Sequence, residues 1–425
     1  MKKTTELKQL FADGAYDGLL KDIYLDDGLM DYQRQRYVDA VSRYEELYGA
    51  GEVEIYSAPG RSEIGGNHTD HQNGEVLAAS INLDAIGVVG RLDGVVKVVS
   101  GNAPEIEISL DDLEAREEEQ GTTKSLIKGV LAGIREHGGK IGGFQTYITS
   151  DVLIGAGLSS SAAFETIIGT IVSGLYNDMK VSPVDIAIIG QYAENVYFGK
   201  PCGLMDQTAS SVGNLVHIDF ADKKHPVIER VECDLETYGY SLCITDTKGS
   251  HADLTADYAA VPSEMRAAAA VFGREVLHGV TLEELIEKSA EVREKAGARA
   301  LLRAIHFVTE NVRVQEEVAA LRAGDFQAFL RGVKASGDSS FKYLQNVYTS
   351  HDVQHQNVSV ALAISEAVLK GNGVSRVHGG GFAGTIQAFV KNEAVAGYKE
   401  IMDKTFGEGA CSVLKVRKYG GMKVL

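Results

Sequence analysis

The sequence is poor in several residue types, and each shortage excludes a class of protein. It has no tryptophan, six prolines and four cysteines in 425 residues. The cysteines form no CxxC pair, so we expect reduced thiols and a cytoplasmic location rather than a disulfide framework. No apolar run reaches the roughly eighteen residues that cross a membrane, and the first residues do not resemble a signal peptide. We therefore expect no membrane partner.

Basic residues are scarce as well. The chain has 42 Lys and Arg against 59 Asp and Glu, which gives a formal net charge of −17. No basic stripe or cluster is present, so we expect no nucleic-acid partner. The length predicts two domains, and the sequence leaves the oligomeric state open, a monomer included. Glycine, by contrast, is abundant at 47 residues, and many of these glycines cluster in a few loops.

The most informative of these loops is Gly155-Ala-Gly-Leu-Ser-Ser-Ser-Ala-Ala163, here called the glycine–serine loop. A strand pattern over residues 144–154 precedes it, and apolar residues at helical spacing follow it from residue 164 to residue 176. A helix therefore begins inside the serine run and offers unpaired N–H groups at the positive end of its dipole. We interpret the loop as a phosphate cradle, with a plain serine N-cap as the alternative.

The cradle matches neither of two common nucleotide-binding loops. No Gly-Lys-Ser or Gly-Lys-Thr follows it, and its Gly-x-Gly continues into Leu-Ser-Ser. A phosphate site here would therefore belong to a fold other than the P-loop or Rossmann folds. The residues predicted to contact the phosphates are Gly155, Gly157, Leu158, Ser159, Ser160 and Ser161.

A second loop, residues 58–74, is called the HTDH loop and concentrates hydrogen-bonding groups of both signs. Its polar side chains are those of Arg61, Glu63, Asn67, His68, Asp70 and His71. Sugar hydroxyls both donate and accept, so a mixed shell of this kind suits them, and Asp70 can accept from two adjacent hydroxyls. An exposed turn and a metal site on the two histidines and Asp70 are the alternatives.

Two further segments carry polar residues in glycine-rich surroundings. Residues 200–207 follow a predicted helix that carries Glu194, and they present Asp206 either as a helix cap or as a carboxylate in a cleft. The triple-glycine loop, residues 377–384, precedes a strand and either lines a ligand or forms a bulge. Residues 262–345 carry no recognisable chemistry, and we expect helices there.

Taken together in chain order, from the HTDH loop through the glycine–serine loop and residues 200–207 to the triple-glycine loop, these motifs resemble the galactokinases of the GHMP small-molecule kinase family. Asp246-Thr-Lys-Gly-Ser-His251 and Tyr258, between the third and fourth motifs, add to the resemblance, which runs from about residue 51 to the C-terminus. The resemblance implies an α+β fold with two domains, placed here at residues 1–220 and 221–425. The first would be like domain 2 of ribosomal protein S5 and the second ferredoxin-like, with the active site in the cleft between them.

The resemblance also implies the reaction and its residues. It implies ATP-dependent phosphorylation of galactose at O1, with Mg²⁺ as the cofactor and with sugar and ATP as partners. Arg61 and Asp206 match the catalytic pair, and Ser161 and Glu194 match the metal ligands. The positions that match the sugar-binding residues are Asn67, His68, Asp70, Gly203 and Tyr258.

Two residues of the HTDH loop depart from the family's pattern. Asn67 stands where galactokinases usually have Glu, and His71 replaces the usual Tyr. A polar site discriminates through groups that the wrong substrate leaves unpaired. Another sugar, such as N-acetylgalactosamine or arabinose, is therefore one alternative to galactose. The resemblance leaves a second alternative, a non-catalytic sugar sensor, because some galactokinase-like proteins act in that way. From the sequence we expect Asn67→Glu to keep or improve the use of galactose.

Overall fold

The computed structural model describes residues 1–152, 157–223, 225–250 and 254–425. Its strands form two sheets. The strands are β1 (Lys2–Lys3), β2 (Glu52–Gly65), β3 (Glu75–Arg91), β4 (Val95–Ser100), β5 (Ile106–Ser109), β6 (Phe144–Ser150), β7 (Leu215–Asp219), β8 (Val227–Val231), β9 (Tyr240–Asp246), β10 (Gly373–His378), β11 (Thr385–Lys391), β12 (Cys411–Leu414) and β13 (Met422–Lys423).

The helices cover these sheets and connect them. They are α1 (Thr4–Ala12), α2 (Asp17–Tyr24), α3 (Met30–Tyr48), α4 (Thr123–Glu136), α5 (Ser160–Asn177), α6 (Pro183–Tyr192), α7 (Met205–Val212), α8 (Thr255–Ala270), α9 (Leu282–Glu287), α10 (Ser289–Lys295), α11 (Ala298–Arg322), α12 (Phe326–Ser339), α13 (Asn357–Leu369) and α14 (Val395–Phe406). A π-helical segment, Ala193–Phe198, continues directly from α6.

The first sheet has the order β1-β2-β3-β6-β4-β5. In addition, β7 pairs with the N-terminal end of β3, β8 pairs with β7, and β13 pairs with β2. Both faces are covered because the long strands alternate apolar side chains between two cores. Val53 and Ile55 of β2 pack against α1, α2 and α3, whereas Tyr56 and Ala58 pack with α4 and α5. This alternation with a period of two fixes which side of β2 faces each helical layer.

The second sheet is antiparallel and has the order β10-β11-β9-β12. Helices α13 and α14 pack on one face through Val358, Leu362 and Tyr398, and α12 packs on the other through Phe329. Helix α11, which packs against α12, also contacts β2 and β3 of the first sheet. Residues 58–65 of the HTDH loop, expected to be loop, instead belong to β2, and residues 66–74 connect β2 to β3. This connection is therefore supported by a helix that lies far along the chain.

Most of the predicted elements are confirmed. The serine run opens a helix, since α5 begins at Ser160, and residues 262–345 are largely helical. Strand β6 ends at Ser150, before the predicted end at residue 154, and residues 153–156 lie outside the described part of the chain. The change from the first sheet to the second falls between Val231 and Tyr240, after the proposed boundary at residues 220–221, and the domain division stays a prediction.

No helix within the described ranges is both long enough and apolar enough to cross a bilayer.

Candidate active site

The centre of the site is a pair of side chains from distant parts of the chain, Arg61 on β2 and Asp206 on α7. Arg61 Nε donates to Asp206 Oδ1 at 2.7 Å, and Arg61 Nη2 donates to Oδ2 at 2.8 Å. This is the bidentate arrangement in which a guanidinium holds a carboxylate most firmly. The Arg61 side chain is 10% exposed and that of Asp206 34% exposed, so part of the carboxylate remains open.

The glycine–serine loop meets this pair and connects its two members. Arg61 Nη1 donates to the carbonyl oxygen of Gly157, and the Ser159 hydroxyl donates to Asp206 Oδ2. Gly157 and Ser159 both have positive φ, 69° and 55°, so the loop turns sharply before the helix. The left-handed conformation at Ser159 is uncommon for a residue with a side chain, and such conformations concentrate at functional sites.

Leu158 fixes the loop against β2 rather than facing a ligand with its side chain. That side chain is buried in the core, and the Leu158 carbonyl accepts a hydrogen bond from the backbone N–H of Arg61 at 3.1 Å. Gly60 makes this approach possible, because a Cβ there would lie 2.8 Å from the same carbonyl oxygen. Any phosphate contact by Leu158 would therefore have to come from its backbone.

The remaining predicted phosphate residues surround the start of α5. Ser160 and Ser161 occupy its first turn and are half-buried. In a helix the first N–H groups have no intrahelical partner and lie at the positive end of the dipole. Gly155 lies outside the described residues, so its phosphate contact stays a prediction.

The charge on Asp206 is set by opposing effects. Burial raises the pKa of its carboxyl, but the Arg61 guanidinium and the hydrogen bonds from Arg61 and Ser159 lower it by more. The pKa of Asp206 therefore lies below its usual range, and the group is ionised at neutral pH. An ionised carboxylate beside a guanidinium and a helix N-terminus can orient a hydroxyl group next to a phosphate.

The predicted sugar residues Asp70 and Gly203 lie against each other. A Cβ built on Gly203 would be 2.9 Å from Asp70 Oδ2. Tyr258, on α8, packs against the triple-glycine loop: its hydroxyl donates to Gly381 at 2.8 Å, and a Cβ on Gly380 would be 2.8 Å from its ring. Burial raises the pKa of Tyr258 to about 12, so its phenol is neutral.

His68 joins the HTDH loop to the triple-glycine loop. Its Nε2 lies 2.9 Å from the carbonyl oxygen of Gly380, and its Nδ1 lies 3.0 Å from Nε2 of His71. Burial and the neighbouring His71 lower the pKa of His68 to about 3, so its imidazole is neutral. The backbone of His68 has a φ of 58°, which turns the loop so that the ring reaches Gly380.

Asn67 is completely buried, and its amide is bonded to protein on both sides. Its nitrogen donates to Glu63 Oε1 at 2.9 Å and to the Gly379 carbonyl at 2.8 Å. Its oxygen accepts from Asn346 at 2.8 Å and from Ser340 at 3.2 Å. All four hydrogen-bonding positions of the side chain are thus occupied. The expected sugar contact of Asn67 stays a prediction, and this geometry instead favours a supporting role.

The motifs alone did not reveal the residues that hold the HTDH loop. Arg376 of β10 donates to Glu63 Oε1 at 2.7 Å and to the carbonyl of Ile64 at 2.6 Å. From α11, Glu310 accepts from the N–H of Gly66 at 3.2 Å, and His306 Nε2 lies 2.9 Å from the carbonyl of Asn67. The position of Arg376, one residue before the triple-glycine loop, could have indicated its role from the sequence. Nothing in the sequence pattern of α11 indicated that Glu310 and His306 contact the HTDH loop.

The triple-glycine loop also reaches the glycine–serine loop through His378. Its Nε2 lies 3.1 Å from the Ser62 hydroxyl and its Nδ1 2.8 Å from the Thr385 hydroxyl. A Cβ on Gly157 would be 3.4 Å from the same ring. Burial lowers the pKa of His378 to about 3, with a further effect from Arg61, so a neutral ring lies near Arg61 and Asp206. All four sequence motifs therefore meet at one site.

The predicted metal ligands lie on two different elements, Ser161 in the first turn of α5 and Glu194 in the π-helical segment after α6. Glu194 is buried at 3% exposure, and so is Glu165 at 1%, one helical turn after Ser161. Oε1 of Glu165 has no partner among the described residues, although Oε2 accepts from Gln207 at 3.1 Å. Burial and then Glu194 raise the pKa of Glu165 well above its usual value, since two buried carboxyl groups adjoin.

These hard oxygen groups fit Mg²⁺, which takes one or two protein carboxylates and completes its shell with phosphates and water. Within the described ranges, no group of three or more His, Cys, Asp or Glu side chains is placed to hold a metal by itself. A cation here would therefore depend on a phosphate-bearing ligand. The assignment of Ser161 and Glu194 as metal ligands stays a prediction.

Comparison with known proteins places the chain in a family. The model of the GHMP kinases N terminal domain matches residues 125–214, and that of the galactokinase galactose-binding signature matches residues 42–91. These segments contain the glycine–serine loop and the HTDH loop. In fold, the chain is similar to the crystal structure of Lactococcus lactis galactokinase complexed with galactose, with a TM-score of 0.75 and 24% identity over 90% of this chain and 98% of that one. It is also similar to Methanococcus jannaschii mevalonate kinase, with a TM-score of 0.61 and 15% identity over 86% of this chain and 99% of that one.

The curated relatives extend the similarity to nearly the whole chain. The chain is 30% identical to a galactokinase of Streptomyces coelicolor over 377 residues, which are 88% of this chain and 94% of the relative. It is 31% identical to a galactokinase of Actinobacillus pleuropneumoniae over 365 residues, which are 85% and 92% of the two chains. The chain therefore belongs to the galactokinase family of GHMP kinases and is a phosphotransferase with an alcohol group as acceptor.

Proposed function

We propose that this protein transfers the γ-phosphoryl group of ATP to the O1 hydroxyl of galactose. The observation that carries the proposal is the bidentate contact between Arg61 and Asp206, with Ser159 bonded to the same carboxylate. This contact brings a carboxylate suited to a hydroxyl next to a helix N-terminus suited to phosphates. The names of the relatives, and the galactose in the Lactococcus lactis structure, support galactose as the acceptor.

Asp206 orients the attacking hydroxyl in this proposal. Its pKa is lowered, so it is a weak base toward a free sugar hydroxyl. The hydroxyl becomes acidic only as its bond to phosphorus forms, and the carboxylate accepts the proton at that stage. Positioning therefore contributes more than base strength, as is usual in phosphoryl transfer.

Arg61 and the start of α5 act on the phosphate side. The guanidinium stabilises negative charge that develops on the phosphoryl oxygens, and it also keeps Asp206 ionised. The first-turn N–H groups around Ser160 bind the phosphates of ATP. Ser161 and Glu194 would hold Mg²⁺ together with the phosphates, and the ion would further neutralise the phosphate charge.

Asp70 fixes the sugar, because it accepts hydrogen bonds from two adjacent hydroxyls while Gly203 leaves room beside it. A side chain at residue 203 would occupy that space. Asn67 and His71 differ from the usual family residues, which favours a second candidate: the same transfer to O1 of another sugar, N-acetylgalactosamine or arabinose. We further propose that the enzyme works in the cytoplasm, where its free thiols stay reduced.

The test is ADP release with a panel of sugars, using ATP and magnesium in excess. We expect galactose to be used faster than glucose, N-acetylgalactosamine or arabinose. A clear preference for another sugar would show that galactose is not the acceptor, although the protein would still be a sugar kinase. The absence of sugar-dependent ADP release would favour a non-catalytic sugar sensor. Asp206→Asn protein, purified in parallel, controls for a contaminating kinase.

A further inference from the structure

The far end of the HTDH loop is closed by Glu75, the first residue of β3. The carbonyl oxygen of Glu75 accepts a hydrogen bond from the Thr69 hydroxyl at 2.6 Å, and the carbonyl oxygen of Thr69 accepts from the N–H of Gly74 at 3.0 Å. Thr69 directly precedes Asp70, the carboxylate proposed to bind the sugar. The position of Asp70 therefore depends on where Glu75 is held.

Glu75 is held by residues of α11 and β7. Its backbone N–H donates to Asn311 Oδ1 at 2.9 Å, and Gln315 donates to its Oε1 at 2.6 Å. Its Oε2 lies 2.7 Å from Nε2 of His217, in the middle of β7. The Glu75 side chain is only 11% exposed, and a carboxylate buried to this degree requires such partners. The proposed reaction uses none of these contacts.

Both ring nitrogens of His217 form hydrogen bonds with carboxylates. Besides the contact of Nε2 with Glu75, Nδ1 lies 3.5 Å from Oε2 of Glu229, the residue opposite His217 on β8. A carboxylate can only accept, so both contacts are favourable only when each nitrogen carries a hydrogen, as in an imidazolium. Burial lowers the pKa of His217, but Glu75 and then Glu229 raise it by more, so it lies above its usual value.

The other charged groups near the ring lie on β7 and α11. Asp219, two residues further along β7 and opposite Glu75, accepts from the N–H of Ala221 at 2.8 Å. Arg322 of α11 is paired with Glu229 at 2.7 Å. Among the residues that the structure describes on these elements, the charges around the ring are thus mostly negative, and this favours an imidazolium.

We propose that His217, as an imidazolium, is a positioning residue that fixes Glu75 and thereby holds Asp70 where its carboxylate binds the sugar. The proposal rests on the proposed function, because it deepens the role of Asp70 in that site. A charged donor forms a stronger hydrogen bond to a carboxylate than a neutral donor does. His217 acts through Glu75 and Thr69 and does not contact the sugar itself.

The consequence is a specific dependence on pH. As the pH rises through the pKa of His217, the ring keeps a hydrogen on Nε2 for Glu75, but the bond loses its charge and a lone pair on Nδ1 faces Glu229. The end of the loop is then held less firmly, and the sugar binds more weakly. The difference between a charged and a neutral hydrogen bond corresponds to a rise of about fivefold in the KM for the sugar. The value of kcat should change less than about twofold, because Arg61 and Asp206 are unaffected.

The protonation is tested on the full-length protein by nitrogen-15 NMR of labelled histidine side chains between pH 5 and pH 9. His217→Gln identifies the His217 signals by their loss. We expect a pKa for His217 above the usual value of about 6.5, and a lower pKa in Glu75→Gln. A wild-type pKa at or below the usual value, or one that Glu75→Gln does not change, overturns the proposal. This result does not depend on which sugar is the substrate.

The functional half is tested by measuring KM and kcat for the preferred sugar from pH 6 to pH 9. His217→Gln offers a neutral donor in place of the charged ring. We expect its KM to be about fivefold above that of wild type at pH 6, with the ratio approaching one at pH 9. The matched control is His225→Gln, at a surface contact with Asp222, which should give a ratio of one throughout. A ratio for His217→Gln that does not change with pH, or a loss confined to kcat, contradicts the proposal.

A second variant and an unfolding measurement separate this effect from a loss of structure. Glu229→Gln, at a position 44% exposed, should lower the pKa of His217 and move the rise in KM to lower pH; an unchanged KM profile contradicts the proposal. Because the folded pKa of His217 is raised, its contribution to stability is present below the unfolded pKa and is lost as the pH rises through the folded one. Chemical denaturation should therefore show the stability difference between wild type and His217→Gln shrinking from pH 6 to pH 9, and a constant difference contradicts the proposal.

If the wild type phosphorylates no sugar, the proposed function fails, and sugar binding measured by calorimetry over the same pH range takes the place of KM. A fall in affinity with rising pH that is absent from His217→Gln would then support the positioning role alone. Identical binding profiles of the two proteins would contradict it.

Discussion

The side-chain nitrogen of Asn67 lies 2.9 Å from Glu63 Oε1 and donates a hydrogen bond to it inside the protein. Glu63 is also paired with Arg376 at 2.7 Å. A residue that differs from the family's usual glutamate is thus part of a buried network that joins β2 to β10. The difference therefore changes a buried network that supports the HTDH loop.

The first prediction concerns this network. Asn67→Asp keeps the shape of the side chain but places a carboxylate against Glu63 and the Gly379 carbonyl, which lose their donors. We expect a loss of about 2–4 kcal/mol in the free energy of unfolding, measured by chemical denaturation. Asn67→Glu should be destabilising for the same reason, which reverses the expectation from sequence that it would help the use of galactose.

Asn102→Asp is the matched control, because the same chemical change occurs there at an exposed position. It should change stability by no more than about 0.5 kcal/mol. Equal stability of Asn67→Asp and wild type would show that Asn67 is not held by the bonds described above.

The second prediction concerns Asp84, which lies at the centre of a buried ion network. Its carboxylate accepts from Arg36 at 2.7 Å and from Arg417 at 2.9 Å. Burial raises the pKa of Asp84, but the two guanidinium groups lower it by more, so the folded pKa lies below the unfolded one. The network therefore stabilises the protein above the unfolded pKa of about 3.9, and this contribution is lost as the pH falls through the folded pKa.

Removing one partner tests this account. Arg417→Met leaves Asp84 with less compensation in the core and should cost about 3–5 kcal/mol at pH 7, measured as the shift of a urea unfolding curve. The difference between wild type and Asp84→Asn should shrink as the pH falls from 5 to 3. A difference that is constant over this range would mean that the charge of Asp84 does not contribute.

The third prediction concerns Glu317, whose effect on stability changes with pH in the direction opposite to that of Asp84. Glu317 is buried, neither of its carboxyl oxygens has a partner among the described residues, and burial followed by repulsion from Glu310 raises its pKa well above the usual value. A carboxyl group with a raised folded pKa costs stability as the pH rises above its unfolded pKa. Glu317→Gln should therefore gain stability relative to wild type by up to about 1.4 kcal/mol per pH unit above about pH 4.5.

Unfolding midpoints of the two proteins between pH 4 and pH 8 measure this gain. Glu316→Gln, the neighbouring exposed glutamate, is the control and should show no such trend. A stability difference between Glu317→Gln and wild type that stays constant with pH would mean that Glu317 is not protonated on folding.

The fourth prediction concerns the bidentate contact at the active site. Arg61→Lys keeps a positive charge but cannot form two parallel hydrogen bonds to Asp206. We expect kcat to fall by about 10²- to 10³-fold, with a smaller change in KM for the sugar, in a coupled ADP assay. Arg34→Lys, at a surface ion pair with Asp17, should leave both constants unchanged. An effect confined to KM would mean that Arg61 contacts the sugar and not the reacting phosphate.

Local elements and the contents of the site were largely predictable from the sequence, because they depend on short-range patterns. The start of α5 follows from serines placed before an apolar helical face, and Asp206 follows from its position after the Pro-Cys-Gly turn. The support of the site was not predictable, because it depends on contacts between residues hundreds of positions apart. Asn67 and Asn346, for example, are partners only because α12, which continues into a π-helical segment at Ser340–Leu344, packs beside β2.

The direct test of the whole account is the product itself. Full-length protein is incubated with galactose, ATP and magnesium, and phosphorus–proton correlation NMR identifies the carbon that carries the new phosphate. We predict galactose 1-phosphate from the wild type, and at least about a hundredfold slower formation by Asp206→Asn. Phosphate on another hydroxyl, or equal rates for the two proteins, would contradict the claim that Asp206 orients O1 toward the phosphoryl group.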